Sequence, residues 1–335
     1  MLLILTNAHD SHADAVIERL QQRDVPFFRC EPETFPSETA LSLQYEDGRV
    51  IKTLRNSDRV IDLDEVTCVW NRRPHKPRAA SHLDANDTEF VNEECLHFIR
   101  GLWHLLEDRP WINPHVANIR AHYKPLQLSI ASKLGLTIPR TVITNHPETA
   151  LAFVESCPEG VIYKPMTFSH FRLIGDDAQA IFTSLVDPRT FADNLEAVRQ
   201  APVLMQEHVK KADELRITVM NGSATAVAID SQKERRTEVD WRRVGLDVYD
   251  MPHRETTLPP SVERQLLTLV EELGLVFGCI DMIRKPDGQL VFLEINPNGQ
   301  WLWLELVTHV PLVEKFVDWI VALMSNARVK EARVG

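Results

Sequence analysis

One stretch, LEINPNGQWLWLE at residues 293–305, most constrains how this chain can fold. It sets two Glu, two Asn and a Gln in a run that is otherwise apolar and holds two Trp. A buried strand readily accepts Leu293 and Ile295. It accepts Glu294 and Asn296 only if these side chains have a bound partner, because burying an unpaired charge costs much free energy. The stretch therefore predicts a sheet strand that carries a polar site.

A β-hairpin turn, Asp287-Gly288, precedes this strand. With a two-residue turn, Asp281 lies across from Glu294, and Asn296 shares that face because side chains alternate along a strand. Pro286 also permits a three-residue loop with a bulge, which would change the pairing. Two carboxylates and an amide oxygen suit Mg²⁺ or Mn²⁺, since hard cations prefer oxygen ligands. A solvated hairpin face is the alternative.

Composition restricts the functional classes. The 335 residues are 44% hydrophobic and 25% charged, which is typical of a globular protein with about two to three domains. The net charge of −11 argues against nucleic acid as a partner. The five cysteines are scattered without a CxxC pair, and no HExxH occurs, so neither disulfides nor zinc are indicated. No signal peptide or membrane span is evident, so a cytoplasmic protein is expected.

The chain divides into three parts and a tail. They are residues 1–110, 111–200, 201–327 and 328–335. The first part predicts a small α/β domain, in which LLILT and VTCVW read as strands and Ser11 caps a helix. A hairpin turns at Asp47-Gly48. No GxGxxG occurs in this part, so a dinucleotide-binding fold has no motif support.

The second and third parts predict two α+β units. Pro125, at a first-turn position, predicts a helix whose N-terminus carries Lys124. VIYKPM predicts a strand that carries Lys164, and a surface lysine is the alternative for both positions. In the third part Asn221-Gly222 closes a hairpin, which puts Arg216 on the polar face of its strand.

The motifs stand in an order that resembles the ATP-grasp enzymes. In chain order they are Lys124, Lys164, QEHV (206–209), DELR (213–216), Asp281 and LEINPNG (293–299). Further motifs resemble the microviridin-type peptide ligases of that superfamily, which cross-link side chains of ribosomally made peptides, the graspetides. They are WNRRP (70–74), WINP (111–114), SQ (231–232), DWR (240–242) and EINPNGQWLWLE (294–305). The resemblance covers nearly the whole chain.

This resemblance implies an ATP-grasp fold, with a small α/β pre-ATP-grasp domain followed by a central and a C-terminal α+β subdomain that grip ATP between their sheets. The nucleotide contacts that it implies are Lys124, Lys164, Gln206, Glu207, Val209 and Asp213. The implied ligands of Mg²⁺, or of Mn²⁺, are Asp281, Glu294 and Asn296. Arg216 and Lys164 are the implied catalytic residues, and a surface arginine on a strand is the alternative for Arg216.

The substrate contacts are expected in two segments. Residues 231–243 mix basic and acidic side chains and lie outside every nucleotide motif, so they are either a solvated loop or, on the resemblance, an element that faces the peptide. The expected peptide contacts are Arg72, Arg73, Arg216, Trp241, Arg242 and Arg243. Trp301 and Trp303 would share a face on a strand and are expected to pack in the core.

The chain departs from many ATP-grasp enzymes in the segment that would cover the triphosphate of ATP. The segment after Lys164 holds only Gly175 and lacks a Gly-rich loop, so Ser169 and backbone amides are expected in that role.

Three functions remain open. The first is a ligase that activates an Asp or Glu side chain as an acyl phosphate, with ADP as product, and joins it to a Ser/Thr hydroxyl or a Lys amine. The second adds a free amino acid or small amine to a carboxylate, and the third is a non-catalytic nucleotide-dependent binder. The intact metal patch and Lys164 disfavour the third. The expected partners are a precursor peptide with its leader segment and, in a homodimer, a second copy of the chain; nucleic acid and membranes are not expected.

Overall fold

The computed structural model describes the chain in five stretches. They are residues 1–167, 170–172, 178–180, 182–233 and 237–334. The strands of these stretches form five sheets, and none of their helices is long and apolar enough to cross a membrane.

The N-terminal region is an α/β domain. Its elements are β1 (Leu2–Leu5), α1 (Ser11–Gln22), β2 (Phe27–Cys30), β3 (Ala40–Glu46), β4 (Arg49–Arg55), β5 (Val60–Asp62), β6 (Cys68–Asn71), α2 (Ala85–His104) and β7 (Trp111–Ile112). A parallel sheet has the order β2-β1-β6-β7, and all residues of the inner strand β1 are buried, as is usual in parallel sheets. The hairpin predicted at Asp47-Gly48 is confirmed as part of a separate β3-β4-β5 sheet.

The cap of α1 differs from the prediction. Asp10, and not Ser11, is the N-cap residue, and its side chain accepts the first-turn N–H of His12. Both residue types cap helices well, so the local sequence does not choose between them. The choice comes from outside the helix, because Thr6 and Arg72 also contact the Asp10 carboxylate.

The central region contributes an antiparallel sheet with the order β12-β9-β13-β8. Its elements are α3 (His115–Ala121), α4 (Lys124–Lys133), β8 (Thr141–Thr144), α5 (Pro147–Glu155), β9 (Val161–Lys164), β10 (His170–Arg172), β11 (Ala178–Ala180), β12 (Ser184–Leu185), α6 (Pro188–Asp193) and β13 (Val203–Glu207). The predicted helix at Pro125 is confirmed as α4, and Lys124 is its first residue. Lys164 ends β9, as predicted.

The C-terminal region is built on a five-stranded antiparallel sheet with the order β16-β15-β14-β17-β18. Its elements are β14 (Asp213–Met220), β15 (Ser223–Ile229), β16 (His253–Thr256), α7 (Pro260–Glu272), β17 (Phe277–Arg284), β18 (Leu290–Asn296), α8 (Leu302–Thr308) and α9 (Leu312–Val334). The two-residue turn at Asn221-Gly222 is confirmed. Leu215, Ile217 and Val219 face one core with α4 and α7, which leaves Arg216 on the opposite face.

The second hairpin reaches the predicted pairing by a different route. Its loop holds three residues, Pro286 to Gly288, because Lys285 donates its N–H to the carbonyl of Gln289 at 2.9 Å. The two-residue turn is therefore wrong, and the alternative of a three-residue loop with a bulge is confirmed. A bulge at Leu293 then shifts the register by one residue and restores the pair Asp281–Glu294.

The C-terminal helices connect the sheet to the N-terminal domain. Helix α9 packs against α1 and β6. Trp301 and Trp303 are both buried in this shared core, so the packing prediction is confirmed. They do not lie on a strand, since Trp301 is the N-cap of α8 and Trp303 lies within that helix.

Candidate active site

The predicted polar patch forms on neighbouring strands of the C-terminal sheet. Asp281 on β17 pairs with Glu294 on β18, and Asn296 Nδ2 donates to Asp281 Oδ2 at 3.3 Å. Across β17, Arg216 Nη1 lies 2.8 Å from both carboxylate oxygens of Asp281. The expected convergence of these side chains on one face is confirmed.

Three cations surround the second carboxylate of the patch. Lys124 donates a hydrogen bond to Glu294 Oε2, and Arg242 Nη1 lies 3.6 Å from Glu294 Oε1. Lys164 adds its charge nearby. Glu294 is only 8% exposed, so burial favours its protonated form. The three cations outweigh burial and hold the pKa of Glu294 well below its usual range.

Lys164 differs from the other cations because it has no partner among the residues that the structure describes. It forms no hydrogen bond or ion pair with any residue that the structure describes. Burial lowers the pKa of its ammonium to about 8, although the Glu294 carboxylate opposes this shift. An ammonium that is partly desolvated and unpaired is ready to receive an anion from solution.

A cavity continues from the patch between the central and C-terminal sheets. Beyond the patch, part of its wall is apolar, with Pro139 and Ile162 on the central side and Ile283 and Leu293 on the C-terminal side. This apolar part of the cavity, which we call the apolar slot, adjoins a strongly charged end. A planar ring with a charged tail fits such a site, since ligand pockets are mostly apolar with a few placed polar groups.

The predicted nucleotide contacts divide between this cavity and its surroundings. Glu207 and Val209 line the cavity, whereas Gln206 is buried beside it and donates to Thr141 Oγ1 at 3.0 Å. Asp213 does not line the cavity. Its carboxylate is instead 2.6 Å from the guanidinium of Arg254.

Glu214, and not its neighbour Asp213, faces the cavity. It lines the cavity and accepts a hydrogen bond of 2.5 Å from Lys211, which lines the cavity too. The sequence contains the signal for this choice. Arg216 was placed on the polar face, and strand alternation puts Glu214 on that face and Asp213 on the other.

The segment expected to face the peptide also closes one side of the cavity. Asp240 accepts the backbone N–H of Thr183 at 3.2 Å and pairs with Arg242 at 2.9 Å, and Trp241 lines the cavity. Arg243 donates to the carbonyl of Thr183 at 2.7 Å. The segment lies outside the nucleotide motifs in sequence, but in the fold it bridges the central sheet to the polar patch.

Two predicted peptide contacts bind the protein's own backbone. Arg72 is 2% exposed, and its Nη1 donates to the carbonyls of Asn298 and Gly299 at 2.6 and 3.1 Å. Arg73 is exposed, and within the described part of the chain its hydrogen bond is made by Nε alone, at 3.0 Å from the Asn298 carbonyl. The Arg72 guanidinium is buried and its Nη1 binds the loop backbone, so it does not meet a substrate carboxylate in this arrangement and the expectation for Arg72 is not supported. The terminal nitrogens of Arg73 can therefore still bind a substrate carboxylate.

The segment that is expected to cover the triphosphate lies partly outside the residues that the structure describes. Ser169 and Gly175 belong to that undescribed part. In the part of the chain that is described, no cluster of three His, Cys, Asp or Glu side chains has metal-binding geometry. The polar patch is compatible with this finding, since it consists of two carboxylates and one amide.

The chain resembles known proteins over most of its length. Residues 1–120 match the family of the MvdD pre-ATP grasp domain. A RiPP-associated ATP-grasp ligase of Chryseobacterium gregarium, solved with ADP and a leader and core peptide, is 28% identical with a TM-score of 0.87, and the match covers 96% of each chain. The macrocyclase MdnC of Microcystis aeruginosa, solved with its precursor peptide MdnA, is 30% identical with a TM-score of 0.84, over 96% of this chain and 99% of that one.

A probable alpha-L-glutamate ligase of an Enterobacter species is 24% identical over 294 residues, which span 82% of this chain and 91% of that protein. The fold is thus an ATP-grasp fold behind a pre-ATP-grasp domain, and the chain is an ATP-dependent ligase. Its near-complete match to MdnC, together with the N-terminal domain match, shows that the chain belongs to the microviridin-type ATP-grasp ligases that mature ribosomally made peptides.

Proposed function

We propose that this ligase binds ATP and a precursor peptide, activates an Asp or Glu side chain of the peptide as an acyl phosphate, and joins it to a Ser/Thr hydroxyl or a Lys amine. The observation that carries the proposal is the convergence of Lys124, Lys164, Arg216 and Arg242 on one oxygen-rich patch at the end of an apolar slot. Such a cluster can neutralise a triphosphate and an incoming carboxylate together.

The nucleotide would lie along the cavity. Its base would enter the apolar slot beside Glu207 and Val209, and its ribose hydroxyls would meet Glu214. We propose Glu214 for this contact in place of Asp213, whose carboxylate is occupied by Arg254. Lys124 and Lys164 would bind the phosphates, as compact charges suited to them.

The polar patch fits Mg²⁺ by its donor chemistry. Asp281, Glu294 and Asn296 offer three oxygens from adjacent strands, and magnesium at a nucleotide commonly takes one or two carboxylates and completes its shell with phosphates and water. When bound, the ion would neutralise charge on the β- and γ-phosphates. Lys124 and Arg216, which now bind the two carboxylates, would then be released toward the substrates.

The reaction balances without an enzyme nucleophile. An oxygen of the peptide carboxylate attacks the γ-phosphorus and ADP leaves. The hydroxyl or amine then attacks the acyl carbon, loses its proton to solvent and expels phosphate. Arg216 and Arg242 would hold the carboxylate and stabilise the charge on the transferred group. Each bond formed removes one water from the peptide.

Incubation of the enzyme with a candidate precursor peptide, ATP and magnesium, followed by mass spectrometry, tests this proposal. We expect one water lost, one ADP and one phosphate formed for each cross-link. Formation of AMP and pyrophosphate would rule out the acyl phosphate route.

Addition of a free amino acid is the second candidate, and the similarity to a probable alpha-L-glutamate ligase favours it. The same experiment separates the two, because that reaction increases the peptide mass when glutamate is supplied. Loss of water without glutamate would reject the second candidate.

The metal proposal has its own test. Glu294→Gln keeps the side-chain shape and removes one charged oxygen ligand. We expect turnover to fall by at least about 100-fold, and the Mg²⁺ concentration needed for ADP binding to rise. Glu155→Gln, an exposed position at the end of α5, is the matched control. Wild-type activity and Mg²⁺ requirement in Glu294→Gln would refute the metal assignment.

The peptide contacts at Trp241, Arg242 and Arg243 remain proposals that fluorescence polarisation can test with a labelled peptide. Because Arg242 lies 3.6 Å from Glu294, we expect Arg242→Ala to weaken nucleotide binding as well. Arg243→Ala should weaken peptide affinity alone. Unchanged peptide affinity in both variants would overturn the assignment of this segment.

A further inference from the structure

The backbone that follows the polar patch is held by side chains from distant parts of the chain. We call residues 296–300 the NPNGQ loop; it joins β18 to Trp301, the N-cap of α8. The carbonyls of residues 297 to 300 each accept a side-chain hydrogen bond. In carbonyl order the donors are Asn113, Arg72 with Arg73, Arg72 again, and Arg216. The loop thus has little freedom to move, because every one of these acceptors is fixed.

The N–H groups at the end of the loop are held by His12. Its Nε2 lies 2.9 Å from the N–H nitrogen of Trp301 and 3.0 Å from that of Leu302, at the start of α8. The first N–H groups of a helix have no partner within the helix, so an acceptor there stabilises them. The imidazole also meets the Trp301 ring edge-on, with 5.2 Å between ring centroids.

His12 is placed to act only as an acceptor at this position. It is 6% exposed, and burial lowers its pKa to about 4 although the Asp10 carboxylate opposes this shift. Because Nε2 faces two N–H donors it carries no proton, so the proton of the neutral ring is on Nδ1, 3.6 Å from Asp10 Oδ1. Asp10 also lies beside Arg72, so one carboxylate organises both residues that hold the loop.

We propose that His12 and Arg72 are positioning residues through which the N-terminal domain fixes the NPNGQ loop and, with it, Glu294 and Asn296. The inference rests on the metal role proposed above for these two side chains. Neither His12 nor Arg72 touches the patch. They act through the backbone, since Asn296 begins the loop and its carbonyl accepts the Gly299 N–H at 3.1 Å.

The packing around Gly299 supports a loop that has one position only. A Cβ at this residue would lie 2.3 Å from Cys279 Cβ and 2.9 Å from Arg216 Nη2. The loop therefore rests directly on the strand of Asp281 and on the arginine that binds it. A loop released by the N-terminal domain would disturb both carboxylates of the patch.

Two substitutions at one position test the proposal. His12→Phe keeps a ring against Trp301 and removes the acceptor, whereas His12→Gln restores an acceptor, because Gln Oε1 occupies nearly the place of His Nε2. ADP binding is measured by calorimetry across a Mg²⁺ titration and again in EDTA. Hydrogen exchange of the segment 297–304 is followed by mass spectrometry in the absence of nucleotide.

In His12→Phe we expect the amide hydrogens of Trp301 and Leu302 to exchange about ten-fold faster than in the wild type. We also expect this variant to need an about ten-fold higher Mg²⁺ concentration for ADP binding. Its ADP affinity in EDTA should equal that of the wild type, and His12→Gln should recover most of the wild-type behaviour. A wild-type Mg²⁺ requirement in His12→Phe would overturn the proposal. If His12→Phe loses as much ADP affinity in EDTA as in Mg²⁺, the proposal is also overturned. The same holds if His12→Gln does not recover wild-type behaviour, because either result indicates a general structural defect.

Arg73→Gln provides a variant at an exposed position, in case His12→Phe does not fold. It removes one donor to the Asn298 carbonyl, and we expect a two- to three-fold rise in the Mg²⁺ requirement. No rise would count against the proposal. Failure of the metal proposal itself is distinguishable, because wild-type ADP binding would then be independent of Mg²⁺ and of Glu294.

Discussion

Acidification should destabilise this protein through His12. The buried imidazole has a pKa of about 4, against 6.5 for an ordinary histidine. Between pH 6.5 and about pH 4, His12 is protonated in the unfolded chain and neutral in the native protein. The stabilising contribution of neutral His12 is therefore complete above about pH 6.5 and is lost as the pH falls toward 4.

The magnitude follows from this difference in pKa. The full shift corresponds to about 3 kcal/mol, since one pKa unit equals about 1.4 kcal/mol. Between pH 7 and pH 5 the proton taken up by the unfolded state lowers the free energy of unfolding by about 2 kcal/mol. Burial of the imidazole is the main cause of the lowered pKa, and a protonated Nε2 could also no longer accept the N–H groups of Trp301 and Leu302.

Urea denaturation at pH 7 and pH 5 measures this effect against His12→Gln, which accepts hydrogen bonds but does not titrate. Other groups that titrate in this range contribute to both proteins and cancel in the comparison. We expect the wild type to lose about 2 kcal/mol more than the variant on acidification. His82→Gln, at an exposed position, controls for the loss of a histidine.

Equal losses in the wild type and in His12→Gln would refute this reasoning. They would mean that His12 titrates alike in the folded and unfolded chains, and hence that it is not the buried acceptor of the α8 amides.

Three further predictions concern the active site. Arg216→Lys should lower turnover by about 100-fold, because an ammonium cannot hold Asp281 and the Gln300 carbonyl together; wild-type kcat would contradict this. ATP affinity should fall about ten-fold from pH 7 to pH 9 as Lys164, with a pKa of about 8, loses its charge, and Lys164→Arg should not share the loss. Gly299→Ala should lower the free energy of unfolding by about 3 kcal/mol, whereas Gly101→Ala, in open space on α2, should not; similar unfolding curves would reject the crowding argument.

The sequence alone determined the face of the sheet on which the site forms. Side chains alternate along any strand, so the spacing of Glu294 and Asn296 places both on one side without knowledge of the rest of the fold. The same alternation placed Arg216 opposite the core, and it also identifies Glu214 in preference to Asp213. These are local consequences of backbone geometry, and the motif order supplied the superfamily.

The tertiary structure decided how the hairpin reaches that pairing. A three-residue loop would have moved Asp281 away from Glu294, and the bulge at Leu293 cancels this shift. Loop length and bulge both satisfy the local sequence. Their combination is fixed by the packing of β18 against α4 and the neighbouring strand.

Only the tertiary structure could bring the N-terminal domain to the site. His12 lies 289 residues from Trp301, and Arg72 lies 226 residues from Asn298. No pattern along the chain relates such positions, because their contacts depend on how α9 packs against α1 and β6. The sequence predicts Arg72 as a substrate contact, because it does not show this long-range packing. In the fold the Arg72 guanidinium is buried and binds the backbone of the NPNGQ loop beside the candidate active site.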